Sequence, residues 1–124
     1  MSKGCLVMVL EDEAFVSSLI EMMLEDEGWS VGGPFRTNHL ALEYLERARP
    51  DVALIDFNIA DGTSGLTARR LRELGIPFVV VSGFPKSMAK NEDLRAAEWV
   101  DKPFSELTVL QSLSAAIARG RSAA

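Results

Sequence analysis

Four segments of this chain end in polar side chains of the kinds that bind metal ions and anions. These residues are Glu11, Asp12 and Glu13 after the first segment, then Asp56, Ser82 and Lys102 after three later ones. Clustered carboxylates suit a hard divalent cation such as Mg²⁺, whereas an ammonium and a hydroxyl can donate hydrogen bonds to anionic oxygens. Taken singly, each residue has an ordinary interpretation as a solvated turn, a polar strand end or a surface lysine. The set is informative only where a fold brings the four segment ends to one place.

The segments that carry these residues are short, and the stronger ones are apolar throughout and rich in Val, Ile and Leu. The stronger ones are Cys5–Leu10, Val52–Ile55 and Phe78–Val81, and the weaker ones are Val31–Phe35 and Glu98–Val100. Apolar runs without polar alternation are typical of strands buried on both faces of a parallel sheet. In such a sheet the functional crevice lies beyond the carboxyl ends of the strands. The pattern therefore predicts that the four segment ends lie at one rim.

Helical patterns separate the apolar runs. The first comprises Val16, Leu19, Ile20, Met23 and Leu24, with Gly28 placed to end the helix. Further helices are predicted between Thr37 and Pro50, from Leu66 to Gly75, irregularly from Ser87 to Ala96, and from Ser105 onward with Leu107, Leu110, Leu113 and Ile117 facing inward. The order of elements predicts an α/β fold, a doubly wound (βα)5 three-layer sandwich.

The composition excludes several classes of protein. The 124 residues are one domain's worth of chain, and a net charge of −5 argues against direct binding of nucleic acid. The first apolar run is too short for a signal peptide core or a membrane span, so no membrane insertion is expected. The single cysteine cannot form an internal disulfide, which favours a reducing, cytoplasmic location. Residues 120–124 are predicted to be a flexible tail.

The sequence resembles the receiver domain of two-component response regulators, of the stand-alone, single-domain type. The resemblance covers roughly residues 4–119 and is carried by the motifs Leu10-Glu11-Asp12-Glu13, Ile55-Asp56, Val81-Ser82-Gly83 and Asp101-Lys102-Pro103-Phe104. It implies one receiver domain over residues 1–124 with a core of about 4–119. It also implies a flavodoxin-like sheet with the strand order 2-1-3-4-5.

The resemblance assigns a chemical role to each of these residues. Asp56 is the expected phosphoacceptor, which takes a phosphoryl group from a phosphohistidine of a sensor histidine kinase or a histidine phosphotransferase. Mg²⁺, or Mn²⁺, is expected to bind Asp12, Asp56 and the backbone carbonyl of Asn58, with Glu11 acting through water. Lys102 is expected to contact the phosphoryl oxygens.

The resemblance also implies a switch. Ser82 is expected to offer a free hydroxyl to the phosphoryl group, and Trp99, three residues before the lysine, is expected to move with it. The peptide between Lys102 and Pro103 is expected to be cis. Phe84 is expected to hinder hydrolysis of the acyl phosphate, and the loop of residues 60–62 to be mobile.

Several functions stay open at this point. The leading one is a phosphorylation-controlled binding module, not an enzyme, that acts on an unknown protein target through helix four, strand five and helix five. Such a module is expected to be a monomer or a phosphorylation-dependent dimer. Alternatives are a phosphate sink or shuttle, a receiver excised from a hybrid kinase, a small phosphohydrolase with an aspartyl nucleophile, and a pseudo-receiver that binds partners without phosphate. No glycine-rich nucleotide-binding motif is present.

Overall fold

The computed structural model describes the backbone of residues 4–123 and the side chains of residues 4–120. Its strands are β1 (Leu6–Leu10), β2 (Ser30–Phe35), β3 (Val52–Asp56), β4 (Asn58–Ile59), β5 (Gly62–Thr63), β6 (Phe78–Ser82) and β7 (Glu98–Asp101). Its helices are α1 (Ala14–Asp26), α2 (Asn38–Leu45), α3 (Gly65–Glu73), α4 (Glu92–Arg95) and α5 (Glu106–Ala123), with a 3-10 turn at Lys86–Met88.

Five strands form one parallel sheet in the order β2-β1-β3-β6-β7. Counted along the five strands of this sheet, the order is 2-1-3-4-5, which confirms the predicted fold class. The short strands β4 and β5 form a separate antiparallel hairpin between β3 and α3. Strand β2 therefore lies on one side of β1, and β3 and the later strands lie on its other side. The crevice of such a sheet opens where the direction of strand addition reverses, between β1 and β3.

Two apolar cores lie on the two faces of the sheet, which explains why its central strands carry no polar alternation. On one face Val7 and Val9 of β1 belong to the same core as Leu24 of α1 and Leu113 of α5. On the other face Met8 and Leu10 of β1 belong to a core with residues of α2 and α3, Ala41, Leu45, Ala68 and Leu71. Consecutive strand residues point to opposite faces, so burial on both faces requires an apolar residue at every position.

Local signals end and begin the helices as predicted. Gly28 has φ +82° directly after α1, and the amide of Trp29 donates to the carbonyl of Leu24. The Thr37 hydroxyl accepts from the amide of Leu40 at 3.1 Å and so caps α2. Ser105 accepts in the same way from Thr108 at the start of α5.

The structure corrects several details of the sequence interpretation. Leu19, Leu66 and Leu107 are exposed instead of facing the core. In α5 the buried stripe passes through Val109 and Leu113, and Leu107 precedes Val109 by two residues, roughly 200° around the helix axis at 3.6 residues per turn.

The C-terminal helix also differs from the sequence interpretation. Helix α5 continues to Ala123, whereas the sequence interpretation places a flexible tail from residue 120. Residue 124 lies outside the described residues. Within residues 4–123, no helix is both long enough and apolar enough to cross a membrane.

Candidate functional site

The predicted site residues lie at the carboxyl ends of four adjacent strands. Asp56 and Ser82 are the last residues of β3 and β6, and the Glu11-Asp12-Glu13 segment follows β1 directly. Lys102 follows β7, and its amide donates to the carbonyl of Ser82 at 2.8 Å. The parallel register pairs Leu10 with Ile55, so the first two carboxylate-bearing ends reach the same height.

Lys102 joins the acidic residues of this rim. Its Nζ donates to Oδ2 of Asp56 at 2.8 Å and lies 3.6 Å from Oε1 of Glu11 and 3.6 Å from Oε1 of Glu13. Burial lowers the pKa of Lys102, but the hydrogen bond and charge of Asp56, together with Glu11 and Glu13, outweigh burial and raise it overall. The ammonium is therefore held in its charged form beside the carboxylates. The peptide between Lys102 and Pro103 is cis, as is the one between Gly33 and Pro34.

Three carboxylates face one another across the strand ends. One oxygen each of Glu11, Asp12 and Asp56 lies within 4.8 Å of the others. All the donors are carboxylate oxygens, the type that Mg²⁺ and Mn²⁺ prefer. The residues present therefore fit a hard divalent cation.

Glu11 is the most perturbed member of this cluster. Its side chain is only 2% exposed, and its Oε2 accepts from the amide of Glu13 at 3.1 Å. Burial raises the pKa of Glu11 to about 7, and the charge of Asp56 adds to this effect, while the Glu13 amide and Lys102 oppose it. A cation bound beside Glu11 would favour the ionised form of this carboxyl group.

An open cleft leads to Asp56. Its volume is about 380 Å³, and its lining residues are Asp12, Glu13, Asp56, Asn58, Gly83, Phe84 and Lys102. Asn58 begins the β4–β5 hairpin two residues after Asp56. Asp56 is 7% exposed, so one surface of its carboxylate group reaches the cleft.

Ser82 does not have the free hydroxyl that the sequence interpretation expects. Its Oγ accepts from the amide of Phe84 at 2.8 Å and donates to the carbonyl of the same residue at 3.0 Å. The chain turns directly after β6, which brings the backbone of Phe84 within reach of a serine two positions earlier. The hydroxyl must therefore release the carbonyl of Phe84 before it can donate to another acceptor.

Three aromatic rings connect the cleft to α4. Phe84, 48% exposed, lies 6.4 Å from Phe57 between ring centroids, and Phe57 lies 5.1 Å from Trp99. The indole Nε1 of Trp99 donates to the carbonyl of Leu94 at 2.8 Å. Trp99 is thus half-buried and hydrogen-bonded to α4. Sequence reasoning missed Phe57, although its position next to Asp56 is a usable signal.

The loop that follows Asp56 is hydrogen-bonded to neighbouring segments. The carboxylate of Asp61 accepts from the amide of Asn38 at 3.0 Å, and the amide of Ala60 donates to the carbonyl of Arg36 at 3.2 Å. Residues 60 and 61, for which the sequence interpretation expects mobility, are thus hydrogen-bonded to Arg36 and to Asn38, the first residue of α2. Sequence reasoning also missed the contact of Glu13 with Lys102, because Glu13 reads as part of a solvated acidic turn.

Comparison with known proteins identifies the family of this chain. The chain matches the family model of the response regulator receiver domain over residues 7–114. It is 30% identical over 114 residues to the phyllosphere-induced regulator PhyR of Methylorubrum extorquens, an alignment that covers 90% of this chain and 43% of that protein. The chain thus spans less than half the length of this relative.

Solved structures show the same fold. The receiver domain of PhyR from Erythrobacter litoralis has a TM-score of 0.80 at 26% identity, covering 93% of this chain and 91% of that chain. The receiver domain of the sensor histidine kinase PA1611 from Pseudomonas aeruginosa, solved with a magnesium ion in its active-site cleft, has a TM-score of 0.81 at 21% identity, covering 93% of this chain and 98% of that chain. The chain belongs to the response regulator receiver domain family of two-component signalling.

Proposed function

We propose that this chain is a phosphoacceptor whose nucleophile is Asp56. A carboxylate oxygen of Asp56 attacks the phosphorus of a phosphohistidine, an O–P bond forms, the N–P bond breaks, and the imidazole nitrogen leaves with the electron pair and takes up a proton. The observation that carries this proposal is the cluster of three carboxylates within 4.8 Å, with the Lys102 ammonium 2.8 Å from Asp56. The donor is a sensor histidine kinase or a histidine phosphotransferase.

The residues around Asp56 lower the repulsion between a carboxylate and an anionic phosphoryl group. Asp12, Asp56 and the backbone carbonyl of Asn58 would hold Mg²⁺ or Mn²⁺, with Glu11 acting through water. When bound, the ion supplies positive charge to the phosphoryl oxygens. Lys102 would supply a second positive charge, and it would stabilise both the transition state and the acyl phosphate.

The proposed output is a change in protein binding, not turnover of a substrate. Ser82 exchanges its hydrogen bonds with Phe84 for one to a phosphoryl oxygen, and Trp99 responds through the aromatic contacts with Phe57 and Phe84. Trp99 is bonded to Leu94 of α4, so the affected surface is that of α4, β7 and α5. We propose a cytoplasmic signalling module that binds a protein target there, as a monomer or a phosphorylation-dependent dimer.

Intact-mass measurement with acetyl phosphate and Mg²⁺ tests the proposal. We expect one added phosphoryl group on the wild type, and none on Asp56→Asn or with chelator. The variant Asp61→Asn, which replaces a carboxylate five residues after Asp56, serves as the matched control and is expected to be phosphorylated. Continued release of phosphate over many turnovers would instead indicate a phosphohydrolase, and no added mass would indicate a pseudo-receiver.

A further inference from the structure

Asn38, the first residue of α2, is a buried polar residue outside the acidic cluster. It is only 3% exposed, yet all the hydrogen-bonding capacity of its side chain is used. Its Nδ2 donates to Oδ1 of Asp61 at 3.2 Å and to the carbonyl of Thr63 at 2.9 Å. Its Oδ1 accepts from the amide of Thr67 at 3.2 Å and from its hydroxyl at 2.7 Å. One side chain thus joins α2, the β4–β5 hairpin and α3.

The hairpin that Asn38 holds is the one that carries Asn58. Thr63, whose carbonyl accepts from Asn38, is paired with Asn58 across the two strands. Each strand of this hairpin has only two residues, and a two-stranded hairpin is marginally stable by itself. Contacts from outside must therefore fix its position relative to Asp56, and the side chain of Asn38 supplies two of them, one to the tip at Asp61 and one to the second strand at Thr63.

Asp61 makes the link reciprocal. Its carboxylate also accepts from the backbone amides of Asn38 at 3.0 Å and His39 at 3.4 Å, which are unpaired donors at the start of a helix. The hairpin tip therefore caps α2 while α2 holds the hairpin. A negative charge at this end of the helix is favoured by the helix dipole.

We propose that Asn38 is a positioning residue for the metal and phosphoacceptor site, acting through the β4–β5 hairpin to hold the carbonyl of Asn58 in place. This inference rests on the proposed function, since it assumes that Asn58 is a metal ligand. Outer residues that orient metal ligands commonly change metal affinity by tenfold or more when removed. Removing Asn38 is therefore expected to weaken metal binding in a protein that remains folded.

The test measures Mn²⁺ affinity by electron paramagnetic resonance of the free ion, together with urea unfolding of the same samples. We expect Asn38→Ala to weaken Mn²⁺ binding about tenfold. The matched control is Thr37→Ala, which removes a cap from the same helix end but has no bond to the hairpin. The control is expected to lose stability and keep the affinity of the wild type. Equal affinity in Asn38→Ala and wild type would overturn the inference.

A second pair of variants decides the question where Asn38→Ala does not fold. Asp61 is exposed, so Asp61→Ala and Asp61→Asn both remove its charge at the surface, and only the alanine also removes the acceptor for Asn38. Weaker Mn²⁺ binding by Asp61→Ala than by Asp61→Asn supports the inference, and equal binding overturns it. Wild-type protein that binds no Mn²⁺ would instead overturn the proposed metal site, and this inference with it.

Discussion

The buried carboxyl group of Glu11 is expected to make the metal-free protein less stable as the pH rises. Burial, with the charge of Asp56, raises the pKa of Glu11 from 4.5 to about 7. At about 1.4 kcal/mol per pH unit, the whole shift corresponds to roughly 3 kcal/mol of unfolding free energy. Glu11 interacts with charged neighbours, so we expect a net effect of about 1–3 kcal/mol.

The sign follows from the proton balance. Below pH 4.5 Glu11 is protonated in both the folded and the unfolded chain, and it contributes no pH dependence. Between pH 4.5 and about 7 the unfolded chain releases this proton while the folded chain retains it, so stability falls as the pH rises. Above pH 7 the full penalty is present. Glu11→Gln removes the titrating group, and its advantage over the wild type is expected to grow from pH 5 to pH 8.5.

Urea unfolding followed by circular dichroism in EDTA measures this difference. The unfolding free energies of wild type and Glu11→Gln are compared at pH 5 and pH 8.5. Glu13→Gln is the control, because Glu13 lies equally far from Lys102 but is largely exposed. Its curve is expected to run parallel to that of the wild type. A Glu11→Gln curve that is also parallel to the wild type would refute the reasoning.

Further predictions concern the cleft and the aromatic contacts. Lys102→Met is expected to slow phosphorylation by about two orders of magnitude, as measured by intact mass. The same variant is expected to bind Mg²⁺ more tightly, as measured by calorimetry, because it removes the cation beside Asp56. Phe84→Ala is expected to shorten the lifetime of the phosphorylated form several-fold, because an exposed ring at the cleft shields the acyl phosphate from water; the decay of the added mass measures it, and an unchanged decay contradicts it. Phosphorylation is expected to change the fluorescence of Trp99. This change in fluorescence should persist in Trp29→Phe and be lost in Trp99→Phe.

The sheet and the location of the site could be predicted because strands that are buried on both faces have a recognisable apolar sequence. A strand covered on both faces has no polar position, so Val52–Ile55 and Phe78–Val81 are recognisable without alignment. Polar residues directly after such strands then lie at one edge. Because the strands are parallel, these residues lie close together, and Asp56 and Lys102 are hydrogen-bonded although they are far apart in the chain.

The contacts that tune the site could not be predicted, because they depend on individual hydrogen bonds and ring contacts that leave no periodic pattern in the sequence. Asn38 reads as a helix cap, and its bonds to Asp61, Thr63 and Thr67 leave no periodic pattern. The hydrogen bonds of Ser82 to Phe84 depend on the turn after β6, which residue types alone do not fix. The aromatic contacts of Phe57 depend in turn on the rotamers of its neighbours.

The double hydrogen bond between Ser82 and Phe84 connects the proposed phosphorylation of Asp56 to the main chain of an exposed residue at the cleft. If the serine hydroxyl turns toward a phosphoryl oxygen, as proposed, the main-chain carbonyl of Phe84 loses its donor and can accept from another. A target protein that bonds to this main chain would supply one. By thermodynamic reciprocity, such a target would stabilise the modified aspartate by the same factor as the modification strengthens its binding. The occupancy of the acyl phosphate in the cell would then depend on how much of the target is present.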